Sequence, residues 1–270
     1  MTQPMTIADL RALRGKKQLS MLRVETLDEA AAAEQAGIDM VSVPPSLLLN
    51  PGFRSVAPSV FACPGLDLGV YITEEECLRA AFQLIGAGAD MIYCPQRPQT
   101  IRRLTEEGIP VCGHTGLIPS KATWTGGFKA VGKTMETARL VWQQVRALEE
   151  AGAVAAEIEV VPEEIASEIA AHTSLFLISM GAGSGCHAQY LFSGDVLGQT
   201  RGHVPRHAKA YDNFRAELEK LQTARVKAYQ SFKDEVGSGA YPGPEHKVPV
   251  KASVLSEFRS WLQETRSESR

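Results

Sequence analysis

From Lys17 onward, short apolar runs alternate with amphipathic stretches that stop at glycine, and this alternation limits the fold more than any other feature of the chain. Strands covered by helices on their outer side read as near-continuous apolar runs and pair in parallel with the next strand. The first unit joins QLSMLRVE to the Ala-rich LDEAAAAEQA, with Gly37 as the helix stop, and IDMVSVP follows directly. LDLGVYI then leads to EEECLRAAFQLIGAG and DMIYCP to RPQTIRRLTEEG, while IPVCGHTGL passes through a Gly-rich insert into KTMETARLVWQQVRALEEAG. AVAAEIEVV with PEEIASEIAAH, then SLFLISMGAG and QYLFSGDVLG, bring the strands to about eight, in a chain of the usual ~250-residue barrel length. The expected class is α/β: a single (β/α)8 TIM barrel with a C-terminal helical extension.

That extension, 205–270, carries the helical stretches AYDNFRAELEKLQTARVKAYQSFKDEV and SVLSEFRSWLQETR around the turn-rich SGAYPGPEHKVP. No linker sets it apart, so it reads as part of one domain over 1–270, packed on the barrel or on a neighbouring subunit.

With 44% hydrophobic residues in 270, the chain can bury a full core, which excludes disorder. Lysine and arginine total 28 against 31 acidic residues, and no basic block could neutralise a run of phosphates, so a nucleic-acid partner is not expected. Apolar runs such as Ser174 to Met180 fall far short of the ~20 residues of a membrane span, and MTQPMTIADLRALRG has no apolar leader core. A soluble, cytoplasmic protein is expected. Cys63, Cys77, Cys94, Cys112 and Cys186 are odd in number and lack C-x-x-C spacing, which argues for buried thiols over disulfides or zinc, Cys186 in its Gly-rich loop being the one with a reactive alternative.

In a parallel barrel the chemistry sits where strands end, because all the carboxyl ends open on one face. Arg23 and Glu25, Ser46, Tyr71 and Thr73, Tyr93, His114, Glu159 and Ser179 end the first seven strands as read here. Glu159 lies in an otherwise apolar stretch, where desolvation would raise its pKa toward the range of a general acid or base; a structural ion pair is the alternative. Glu157 shares its face and could share its role. His114 follows Gly113 at a strand end, where an imidazole can donate to a carboxylate or ketone oxygen, or simply be a satisfied loop histidine. Gly181 to Gly185 could cradle an anion with backbone N–H groups, though a tight turn explains the run equally well. His187, His203, His207 and His246 lack metal-site spacing.

Taken in order, several strings resemble the ketopantoate hydroxymethyltransferase (3-methyl-2-oxobutanoate hydroxymethyltransferase) family of the phosphoenolpyruvate mutase/isocitrate lyase superfamily. They are M-L at Met21, P-V-C-G-H-T-G-L-I-P from Pro110, G-G-F-K from Gly126, G-K-T from Gly132, A-L-E-E-A-G-A from Ala147, E-V-V-P from Glu159, G-A-G from Gly181, P-R-H-A-K from Pro205 and S-G-A-Y-P-G-P-E-H from Ser238. The resemblance implies a (β/α)8 barrel that transfers a hydroxymethyl unit from 5,10-methylenetetrahydrofolate to the enolate of a branched 2-oxo acid, with Mg2+ chelated by the substrate. It places the catalytic glutamate on Glu159, the substrate-binding histidine on His114 and a strand-end serine on Ser46, and it implies a ring-like homo-oligomer.

The first half departs from the family pattern. V-G-D-S becomes V-P-P-S, with Pro45 at the metal-binding aspartate, and K-x-E becomes Tyr93, Cys94, Pro95. The aspartate of D-L-P-F falls on Gly65, with Asp67 nearby but early in the strand LDLGVYI, and the segment from Ser46 to Tyr71 is shortened by about a helix. The aspartate of the Gly-rich loop becomes His187. Mg2+ needs oxygen donors, so the expectation is that the family's metal site is lost and that Arg23, Tyr93, His114 or His187 holds the enolate. The catalytic candidates are Glu159 and His114. The substrate-binding candidates are Ser46, Arg23, Tyr93, Ser179, Gly181, Gly183 and His187, with no metal ligand. The leading expectation is aldol-type one-carbon transfer to a small 2-oxo acid; a metal-independent lyase, isomerase or dehydratase and a non-catalytic paralogue are the alternatives.

Overall fold

A computed structural model describes residues 4–268, which divide into two compact units at Asn213. The first is a parallel eight-stranded barrel. In chain order its elements are α1 (Ile7–Leu13), β1 (Leu19–Arg23), α2 (Leu27–Ala36), β2 (Met40–Val43), α3 (Pro45–Leu48), α4 (Phe53–Val56), β3 (Phe61–Pro64), α5 (Glu74–Gly86) and β4 (Ile92–Tyr93). There follow α6 (Pro98–Glu106), β5 (Val111–Gly116), α7 (Met135–Glu150), β6 (Ala155–Glu159), α8 (Glu163–His172), β7 (Phe176–Met180), β8 (Ala188–Phe192) and α9 (Ser193–Val196). The strands lie in the order β3-β2-β1-β8-β7-β6-β5-β4, and a parallel bridge between Gly65 and Tyr93 joins the outer two into a ring.

Side chains alternate across the pleat, so each strand feeds two cores. Leu19 and Met21, Met40, Phe61, Ala155, Phe176 and Ile178 fill the barrel interior. Val41, Ala62, Val111, Ala156, Ile158 and Leu177 face the helices. By the same parity, Arg23 continues the interior row of Leu19 and Met21, and Glu157 and Glu159 continue that of Ala155. Helix α1, which the βα pattern does not announce because it precedes the first strand, buries Leu10 in the interior core.

One expectation needs correction here. The third strand is 61–64 and not LDLGVYI, because 66–72 leaves the sheet through a turn and Thr73 caps α5 with Glu76. The run LDLGVYI has strand composition, but Val70 and Ile72 are exposed and so have no packing to hold them in a sheet. The shortened segment before β3 holds two single-turn helices, α3 and α4.

The second unit carries α10 (Phe214–Ser238) and α11 (Ala252–Glu268), joined through a 3-10 turn at Pro244–His246. Helix α10 buries none of its residues, and Tyr229, Phe232, Phe258 and Trp261 are all more than half exposed. Among the described residues no helix is long and apolar enough to cross a membrane. All five cysteines are buried and unpaired, and burial pushes the Cys186 thiol up to about 12, so it is no thiolate.

Candidate active site

The carboxyl ends of the strands open into a cavity of about 330 Å³, lined by Arg23, Ser42, Tyr93, His114, Glu157 and Glu159, with Glu25, Asp67 and Tyr190 and the apolar Pro119, Met180 and Phe192. His114 is its centre. It sits inside β5, where its Nε2–H donates to the Leu117 carbonyl at 2.8 Å and Glu159 Oε2 lies 3.3 Å from the same nitrogen. Its Nδ1 lies 2.8 Å from the Tyr93 hydroxyl and 3.4 Å from Glu157 Oε2. Burial alone would favour the neutral ring, but hydrogen bonds and charge from Glu157 and Glu159 outweigh it and push the imidazole up to about 9. Glu157 is raised by its own burial, with His114 opposing the shift. His114 is thus an imidazolium between two carboxylates, and when Nδ1–H donates to the Tyr93 oxygen, the tyrosine O–H is left free to donate elsewhere.

The backbone around Glu159 is fixed tightly. Val160, the next residue, has φ 48, a left-handed conformation that a β-branched residue adopts at a cost of roughly 1–3 kcal/mol. Val160 N–H donates to Met180 O at 2.9 Å, Val131 N–H donates to Val160 O at 3.1 Å, and Leu117 N–H donates to Glu159 O at 2.9 Å, so the strain is held on both sides. Gly116 makes room for this turn: with φ +82, a Cβ there would lie 2.4 Å from the Glu159 carbonyl oxygen.

Arg23, Tyr93, His114 and Glu159 therefore meet in one cavity, as the strand-end argument places them. The remaining candidates lie elsewhere. Ser46 is exposed on α3, outside the cavity lining, and Ser42, four residues earlier and buried, takes the position facing the barrel mouth. Ser179 points outward from β7; its hydroxyl donates to Gly183 O at 2.9 Å and accepts from Ala182 N–H at 3.1 Å, which braces the loop. Gly181 and Gly183 serve close packing: a Cβ would strike the His207 ring at 2.6 Å and the Glu163 side chain at 2.3 Å. Ala182 N–H donates to Ser179 Oγ and Ser184 N–H to Glu163, while Ser179 and Gln189 donate to Gly183 O, so the loop is braced as a turn by its own neighbours. His187 is at the other end of the barrel, ahead of β8, its ring against Phe176 at 5.2 Å between centroids. A seven-residue return from β7 to β8 runs down beside α8 and carries it there.

Sequence reading missed Ser42 and Tyr190 and set Asp67 aside as too early in its strand. Ser42 and Tyr190 are visible only once the inward parity of β2 and β8 is fixed, and Asp67 only once β3 is shifted to 61–64.

Comparison with known proteins bears on this geometry. A family model described as ketopantoate hydroxymethyltransferase matches residues 54–244. The chain belongs to the ketopantoate hydroxymethyltransferase family. It is 31% identical over 265 residues to the 3-methyl-2-oxobutanoate hydroxymethyltransferase of Kosmotoga olearia, covering 90% of this chain and 97% of that one. It is 31% identical to the enzyme of the same name from Emericella nidulans, covering 97% and 81%. The crystal structure of 2,3-dimethylmalate lyase, a PEP mutase/isocitrate lyase superfamily member, superposes with a TM-score of 0.51 at 14% identity, over 98% of this chain and 99% of that one, and so shares the fold.

The family resemblance implies a divalent metal, and the donor set of this chain does not fit one. Pro45 and Pro95 stand at two of the implied ligand positions and offer no side-chain oxygen. Glu157 and Glu159 are engaged by His114, and Glu25 by Arg23 at 2.6 Å, which leaves exposed Asp67 as the carboxylate at the rim. Among the described residues no three His, Cys, Asp or Glu side chains gather to hold a metal ion.

Proposed function

We propose that this chain transfers a hydroxymethyl group to the enolate of a 2-oxo acid, with 3-methyl-2-oxobutanoate as substrate and 5,10-methylenetetrahydrofolate as the one-carbon donor, in pantothenate biosynthesis. The observation that carries this reading is the Tyr93–His114–Glu157–Glu159 network at the mouth of the barrel, in a member of this family. Glu159 takes the proton from C3 of the 2-oxo acid. Tyr93, with His114 donating to its oxygen, donates its O–H to the ketone oxygen as that oxygen gains charge, which is where a positioned donor lowers the barrier. Glu157 holds the imidazolium and balances its charge. Water cleaves the donor to tetrahydrofolate and formaldehyde, the enolate carbon bonds to the formaldehyde carbon, and the resulting alkoxide takes back the proton held on Glu159. The family match does not favour the lyase, isomerase and dehydratase reading or the non-catalytic one.

The same proposal includes a cytoplasmic homo-oligomer in which a second copy covers the apolar side chains exposed on α10 and α11. Light scattering on the eluted protein checks it, a monomer counting against.

The reaction is tested by following the C3 proton of 3-methyl-2-oxobutanoate in D2O by NMR, and by assaying the hydroxymethylated product when the folate donor is added. Exchange catalysed by the wild type and lost in Glu159→Gln is expected. No exchange and no product would overturn the reading.

A further inference from the structure

The network just described is acidic on one wall, with Glu157 and Glu159, and any 2-oxo acid entering it brings a carboxylate of its own. The opposite wall carries Arg23. It is the last residue of β1, on the interior row of Leu19 and Met21, with its side chain 18% exposed. Its Nε–H donates to Glu25 Oε1 at 2.6 Å, and Nη1–H donates to the hydroxyl of buried Ser42 at 3.3 Å. These two bonds set the guanidinium plane, while Nη2 makes no hydrogen bond among the described residues. Glu25 is 55% exposed, so solvent weakens its hold on the charge.

We infer that Arg23 is the anchor for the substrate carboxylate, and that this chain replaces a metal-chelated substrate by one held on a guanidinium fork. The inference rests on the reading of the site as one for a 2-oxo acid. A planar guanidinium matches a carboxylate with two parallel N–H···O bonds, which fixes orientation as well as position. Two carboxylates, Glu157 and Glu159, outnumber the one imidazolium between them, so their wall turns the substrate carboxylate toward Arg23, which leaves the reacting end facing Tyr93 and Glu159. Met180, Phe192 and Pro119 supply apolar surface for a short branched chain. The substrate class is therefore a 2-oxo monocarboxylate with a small apolar substituent. Ser42 is a positioning residue, acting through Arg23.

The test is calorimetric binding of 3-methyl-2-oxobutanoate, and of its methyl ester, to the full chain in EDTA. Wild type binds the acid. Arg23→Gln weakens acid binding by roughly 30-fold or more and leaves the ester within about twofold, since a charged partner lost from a desolvated pair costs on that scale. Arg23→Lys, which keeps the charge without the fork, falls between, and it guards against a folding defect in the glutamine variant. Ser42→Ala weakens the acid by a few-fold. Acid binding unchanged in Arg23→Gln, or wild-type binding that is absent until Mg2+ is added, overturns the inference. The two readings separate cleanly: Arg23-dependent binding with no C3 exchange leaves the anchor and removes the transfer reaction, whereas exchange with binding indifferent to Arg23 does the reverse.

Discussion

Two buried histidines stand at opposite ends of this barrel, each 7% exposed, and their environments drive them apart. At the carboxyl end His114 lies between Glu157 and Glu159 and is pushed up to about 9. At the amino end, burial and the charge of Arg14 push His187 down to about 4. The hydrogen bonds agree with those directions: His114 donates from Nε2 to a carbonyl, while His187 Nδ1 accepts from Leu177 N–H at 2.8 Å and must be unprotonated to do so. Equal burial thus yields a charged group in one place and a neutral one in the other. What separates the charged histidine from the neutral one is the company of carboxylates, which in this fold gather where the strands end.

The strongest test of that contrast is Glu159→Gln. The amide keeps the shape of the side chain and cannot take a proton, so turnover should fall by ~10²-fold or more with the fold intact by circular dichroism. Wild-type rates in this variant would move proton transfer to Glu157 and break the assignment of roles within the network.

His114→Ala sharpens it from the stability side. A histidine in a strand-end loop would add little to packing, but His114 is a member of β5, and removing it leaves Glu157 and Glu159 buried without their cation. Losing one partner of such a set costs about 3 kcal/mol, a fall in Tm of roughly 6–12 °C for a chain of this size. The pH dependence has a definite sign. The folded pKa is above the unfolded 6.5, so the stabilisation is fully present below pH 6.5 and disappears as pH rises through about 9. The gap between wild type and variant should therefore close at alkaline pH; a gap constant from pH 6 to 10 would show that His114 is not charged in the folded protein.

Tyr93→Phe has a smaller expected effect. It removes one hydroxyl donor while His114 retains Leu117 and both carboxylates, so the loss corresponds to about one hydrogen bond, or roughly tenfold in turnover, with substrate binding nearly unchanged. An equal change in KM would instead mean that the hydroxyl binds substrate and transition state alike.

Much of this was legible in the chain itself, and the failures have physical causes. The barrel follows from strand-helix alternation, and Glu157 and Glu159 share a face because strand side chains repeat every second residue. Tyr93, His114 and Glu159 came together because parallel strands end on one face. What failed was assignment beyond a strand's last residue. Ser46 is the second residue of α3, Ser179 differs from Met180 by one step of the pleat, and His187 ends a return loop without a helix to mark its length. LDLGVYI passed for a strand because apolar composition does not report burial. The pairing of Arg23 with Ser42 needed the β1–β2 register, in which those two residues are partners, and register is a tertiary property.

The weakest effect on catalysis is predicted for His187→Phe, and it tests the amino end of the barrel. The aromatic ring can keep the contact with Phe176, but the N–H of Leu177 loses its acceptor, which costs about 1–3 kcal/mol for a buried donor. Turnover at pH 7.5 should stay within about twofold, because the residue does not line the cavity. Its pH signature is opposite to that of His114. The folded pKa is below the unfolded 6.5, so the wild type has its full His187 contribution above pH 6.5 and loses it as pH falls toward about 4, when the unfolded chain takes up a proton that the folded protein resists. Phenylalanine has no proton to take up. The stability deficit of the variant should then shrink, measured by denaturant midpoint, as pH is lowered from 6.5 to 4, whereas the deficit of His114→Ala shrinks as pH is raised. If both deficits moved in the same direction, the two histidines would not differ in charge, and the contrast between the two ends of the barrel would fail.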